Sequence, residues 1–219
     1  MQWTGYPIEQ LAENSSFLET AYLLIYGDLP SPSQKQVWEY EVMHHTILAE
    51  DLIKIISNMR YGISLGTYET TSLLTRTDSH PMSVFISAFA AMGAFTPDAN
   101  PSLQGRNLYL NDKLTMNKNI IRIIGKAGTV AAASMRVRMN RPFIAPRSDM
   151  SYTENILYMM DATSGAEGYR PDKRLAKALD VLFILHADHE MNCSTATMTH
   201  VGSSMVDPYV SVTLIFWHT

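Results

Sequence analysis

The chain has 219 residues, 46% of them apolar, with a net charge of −4 and a pI near 5.9, which is enough to bury one substantial core. No run of lysine or arginine is long enough to track a phosphate backbone or an anionic membrane, so nucleic acid is not an expected partner. Cys193 is the single cysteine, which excludes an intrachain disulfide and fits a reducing compartment.

At the N-terminus, "MQWTGYPIEQLAEN" has neither a basic segment leading into an apolar one nor an arginine-rich amphipathic pattern, so no targeting signal is read there. In "SSFLETAYLLIYG", Ser16 and Glu19 make a capping box and Gly27 supplies the C-cap of a helix. Phe17, Ala21, Leu24 and Ile25 are predicted to share one face. In "PSPSQKQVWEYEVMHH", Ser31 is the N-cap, Pro32 takes the first helical position and Gln34 completes a second box.

Residues 62–77, "GISLGTYETTSLLTRT", show no clear period and read as an inserted loop. The longest apolar stretch, residues 84–95, is shorter than the roughly 20 residues a bilayer span needs, so no membrane span is expected. Ser83, Ser87, Ala90, Ala91 and Ala94 give that helix a small-residue texture, and residues 125–135, "GKAGTVAAASM", repeat it. Close packing inside the chain is the first reading of both segments, and a helix-on-helix dimer interface the second. The fourteen methionines, at helical spacing, are predicted to fill the core. "SYTENILYMMDA" repeats the capping box with Ser151 and Glu154.

The segment 171–190 is predicted to place Lys173, Arg174 and Lys177 in solvent, then to enter the core from Leu179 to Leu185 and deliver His186 through Glu190 at its C-terminal end. No stretch shows sustained alternation bounded by hairpin turns, so the fold class is predicted to be all-α. The last residues, "VSVTLIFWHT", end on apolar bulk with nothing to cap it.

"FILHADHEMNCSTATMTHVGSS", residues 183–204, concentrates acids, bases, nucleophiles and metal-ligand types. His186, His189 and Cys193 lie three and four apart, a spacing that brings zinc-type ligands onto one helical face, but the order is neither H-E-x-x-H nor H-x-x-E-H. Cys193 or Ser194 could act as a nucleophile with His189 as base, although no nucleophile-elbow glycines flank them. A polar pocket in which an imidazole N–H, the Asn192 amide and the Ser194 hydroxyl meet an anionic or carbonyl-bearing small molecule is a third reading. The fourth is structural: these residues cap a helix and satisfy buried backbone groups. His44, His45, His200 and His218 have no convergent partner in sequence and read as surface or satisfied side chains.

Taken together, "LFILHADHEMNCSTA", "HVGSS" and "DPY", with "GYPIEQLAENSSFLETAYLLIYGDLPS", "SHPM", "FTPDANPSL", "IIGKA", "RPF" and "SYTENILYM" in the same order, resemble the citrate synthase family, in particular its plant peroxisomal (glyoxysomal) type. The resemblance implies a multi-helical homodimer that condenses acetyl-CoA with oxaloacetate to citrate, with acetyl-CoA as co-substrate and no permanently bound cofactor or metal. It implies a peroxisomal location, with the mitochondrion as alternative. It identifies residues 1–219 as an incomplete large domain of that family, with residues 62–77 lengthening a usually short link and 213–219 a divergent tail. Position by position, it makes His189 the histidine that binds oxaloacetate, Asn192 a residue lining the same pocket, Ser194 a support for a catalytic histidine, and His186 a second support. It assigns no catalytic residue to this chain, because the family's catalytic histidines and aspartate belong to later segments. The chain is therefore expected to lack turnover, as from a truncated paralogue or misread exon structure. The alternative is a noncatalytic protein that pairs with itself or with full-length citrate synthase. Gly128 and Met205 stand where related sequences usually carry Pro and Gly.

Overall fold

The computed structural model describes residues 2–3, 5–59, 80–105, 108–163, 168–187 and 193–215. After a short antiparallel ribbon, β1 (Gln2–Trp3) and β2 (Tyr6–Pro7), come α1 (Ile8–Asn14), α2 (Phe17–Tyr26), α3 (Pro32–His44), α4 (Glu50–Asn58) and α5 (Pro81–Phe95). The chain continues through a 3-10 turn (Pro97–Ala99) to α6 (Pro101–Gln104), α7 (Leu108–Asn111), α8 (Lys113–Arg138), α9 (Tyr152–Asp161), α10 (Lys173–His186), α11 (Cys193–Ser203) and α12 (Pro208–Ile215). Beyond the ribbon, the described residues are all-α. The inserted-loop reading of 62–77 and His218 lie outside them.

The capping chemistry sets the helix starts. Ser16, Ser31 and Ser151 each accept a hydrogen bond from the backbone N–H three residues on, while Glu19, Gln34 and Glu154 reach back to the serine's own N–H. Gly27 ends α2 at φ 90°, a left-handed conformation that a side chain would strain.

α8, 26 residues and about 39 Å long at 1.5 Å per residue, is the central element. One side joins α4, α5 and α12 around Phe89, Met92, Val130 and Tyr209. The other joins α2, α3 and α9 around Trp38, Val42, Tyr152 and Met159. A third cluster, Leu11, Leu23 and Ile184, holds α1, α2 and α10 together. Each fully buried side chain of this size contributes about 1.5–3 kcal/mol through loss of apolar surface from water. Polar clasps fix the geometry between clusters. Trp38 Nε1 donates to the Leu18 carbonyl at 2.9 Å, Tyr152 Oη to the Ile124 carbonyl at 2.8 Å, and Thr129 Oγ1 to the Thr46 carbonyl at 2.7 Å.

Small residues in α8 serve packing within the chain: a Cβ at Gly125 would lie 2.6 Å from the Val42 carbonyl oxygen, and one at Gly128 would lie 2.8 Å from Ile156 Cγ1. For α5 the same expectation holds only at Ala91, which packs against the core. That helix packs inward through Val84, Ala88, Phe89 and Met92, and Ser83, Ser87, Ala90 and Ala94 form an exposed stripe.

Two other readings are refined. On α2, Leu18, Thr20, Ala21 and Leu23 are buried, while of the predicted stripe Phe17 and Leu24 are half-buried against the core clusters and Ile25 is exposed, because the helix is held from one side by α3 and from another by α10. α10 starts at Lys173 rather than Pro171, with Asp172 as N-cap, and its described helix ends at His186. Its apolar run is only partly in the core: Ile184 is fully buried, whereas Leu182 is 51% exposed. α12 carries Tyr209, Ser211, Val212 and Thr213 into the core. Of residues beyond 213, only the helical backbone through Ile215 is described.

Candidate functional site

The predicted site lies where α10 ends and α11 begins. α10 is pinned there by a buried carboxylate: the Phe17 N–H at the start of α2 donates to Asp180 Oδ1 at 2.9 Å, satisfying a backbone donor that the helix itself leaves open. Burial pushes the Asp180 carboxyl above its ordinary range, partly offset by that hydrogen bond. One turn further on, Ile184 seals against Leu11 and Leu23, and the next residues reach His186.

His186 is exposed, and its Nδ1 lies 2.9 Å from the Leu182 carbonyl oxygen. A carbonyl only accepts, so this bond places a proton on Nδ1. The ring stands at the rim of an apolar cavity of about 590 Å³ bordered by Phe17, Leu24, Phe85, Ala131 and Phe183. Phe17 and Leu24 of α2 thus pack against the core on one side and line this open cavity on the other.

His189 and Asn192, the two expected substrate-binding residues, lie outside the described residues. On the far side, Cys193 opens α11 exposed to solvent and Ser194 follows half-buried. The structure therefore places His186 and Ser194 at the two helix ends that flank residues 188–192.

α11 is seated on α12, whose start explains "DPY" physically. Asp207 Oδ1 accepts the Tyr209 N–H at 2.8 Å as a helix cap, Pro208 needs no hydrogen bond at the first helical position, and Tyr209 is buried. Gly93 of α5 makes room for the carboxylate, since a Cβ there would lie 2.8 Å from Asp207 Oδ2. Just before it, Met205 sits at φ 58°, the left-handed region.

Among the described residues no group of three His, Cys, Asp or Glu side chains could hold a metal ion. The other histidines behave as satisfied or surface side chains. His44 Nδ1 donates to the Tyr40 carbonyl at 2.8 Å with its ring 3.7 Å from that of Tyr40, and His45 Nδ1 donates to the Glu41 carbonyl at 2.8 Å. His200 is exposed on α11.

Two features were missed in the sequence. Arg136 of α8, only 2% exposed, donates from Nη1 to the carbonyls of Met159, Met160 and Ala162 at 2.9–3.0 Å, and from Nε to the Pro142 carbonyl. It ties down the C-terminal end of α9, where carbonyls lack helical partners and a cation is favoured. The second is a cavity of about 620 Å³ between α3, the start of α9 and α10, lined in part by Glu39, His44, Arg147 and Asp180. Burial raises the Glu39 carboxyl too, Lys35 opposing and Glu19 and Asp180 adding to the rise. The available signal was Asp180 itself, an acid set inside an otherwise apolar stretch of helix.

The sequence profile of the family described as citrate synthase, C-terminal domain, matches residues 1–214. The chain belongs to the citrate synthase family. It is 49% identical over 211 residues to a citrate synthase of Dictyostelium discoideum, covering 96% of this chain and 38% of that protein. It is 46% identical over 212 residues to the glyoxysomal citrate synthase of Cucurbita maxima, covering 97% and 38% respectively. In structure it resembles the citrate synthase of Pyrobaculum aerophilum, with a TM-score of 0.79 and 26% identity over 99% of this chain and 48% of that one. The chain thus spans less than two fifths of the length of these curated citrate synthases and about half of the solved one.

Proposed function

We propose that this chain forms the oxaloacetate-facing portion of a citrate synthase-type site, and that as an isolated polypeptide it does not turn over. The supporting observation is the family match across residues 1–214, which takes in "HADHEMN" from the last residue of α10 to the one before α11. On this reading His189 and Asn192 donate hydrogen bonds to oxaloacetate, while His186 and Ser194 support the pocket from the two flanking helix ends. Condensing acetyl-CoA with oxaloacetate needs a base at the acetyl methyl group and a donor to the developing enol oxygen. The family resemblance assigns those groups to segments that are not among these 219 residues. Acetyl-CoA is accordingly a co-substrate of the complete site, and no permanent cofactor is invoked. The likeness to a relative named glyoxysomal supports a peroxisomal location, with the mitochondrion as alternative; imaging a fluorescent fusion separates the two.

The test is a titration of oxaloacetate into the chain followed by histidine side-chain NMR signals. Saturable shifts that vanish in His189→Ala, with the other histidine signals intact, support the assignment. Unchanged signals at millimolar oxaloacetate refute it.

One observation favours a second reading, a noncatalytic protein that pairs with itself or with a full-length synthase. Ser83, Ser87, Ala90 and Ala94 follow helical spacing on α5 and are exposed, a surface that lets another helix backbone approach closely. Sedimentation of the purified chain tests self-association, and co-purification with a tagged full-length citrate synthase tests the mixed pair. A chain that stays monomeric and captures nothing at micromolar concentration removes this reading.

A further inference from the structure

We draw no further inference here: the strongest candidate, the cavity of about 620 Å³ between α3, α9 and α10 where Glu39 and Asp180 face His44 and Arg147, rests on an acidic pair beside two helix N-termini, and no second observation points to a ligand.

Discussion

Replacing Arg136 with methionine removes the guanidinium while keeping much of the side chain's length and apolar bulk. Four carbonyls lose their donor: Met159, Met160 and Ala162 at the end of α9, and Pro142 after α8. A hydrogen bond to a charged group contributes about 1.5–3 kcal/mol net, and a buried acceptor left unpaired costs about 1–3 kcal/mol. The four bonds share one cation, so these figures do not add, and removing the buried charge returns part of its desolvation cost. The expected net loss is about 3–5 kcal/mol, a large fraction of the roughly 5–15 kcal/mol typical of a domain. Arg136→Lys should fall between, at about 2–3 kcal/mol, because one ammonium cannot reproduce the planar fork. Urea unfolding followed by circular dichroism measures both. A methionine variant within about 1 kcal/mol of the parent would refute the reasoning, as would a variant whose lost hydrogen-exchange protection is not concentrated in α9.

The remaining predictions concern packing and titration. Asp180→Asn keeps an oxygen to accept the Phe17 N–H but no longer titrates. Because the folded Asp180 pKa is raised, the wild-type side chain is most favourable below its unfolded value near 3.9 and loses stability as pH rises through the folded one. The asparagine variant should therefore gain relative to the parent from about pH 4 to 7, whereas Asp180→Ala should lose about 1–3 kcal/mol at both; a gain that shrinks with rising pH contradicts this assignment. Gly125→Ala gains about 1 kcal/mol of helix propensity, yet its Cβ meets the Val42 carbonyl oxygen at 2.6 Å. A net loss of about 1–3 kcal/mol is expected from overpacking, and a raised unfolding midpoint would show that α3 yields. Met205→Gly should stabilise by up to about 1 kcal/mol by relieving left-handed strain, and Met205→Ala should not; equal effects would show that the backbone at 205 is not the cause.

What could be read in advance was chemistry confined to a few neighbouring residues. The serine boxes at Ser16, Ser31 and Ser151 and the Gly27 cap each involve groups within one turn, so sequence order determines them. Burial is different, because it depends on which distant helix covers a face. The run from Leu179 to Leu185 looked like core, but α1, α2 and α9 cover only the side of Leu179, Phe183 and Ile184, and Leu182 faces out. Ser83, Ser87, Ala90 and Ala94 looked like an internal contact, but α4, α8 and α12 take the opposite face of α5. Arg136 was missed because arginine ordinarily marks a surface, and its four carbonyl partners lie 6 to 26 residues away along the chain. At the site, residue types left a metal, a nucleophile, a polar pocket and a structural cap all open. The order of "HADHEMN", "GSS" and "DPY", together with the collinear segments before them, pointed to the family, and the profile match then placed the chain in it.

The most direct measurement is CoA release by the purified chain supplied with acetyl-CoA and oxaloacetate. The account predicts a rate indistinguishable from the enzyme-free control, restored to none of the variants above. Sustained release above that control, abolished in His189→Ala, would contradict it and require a catalytic base within these residues.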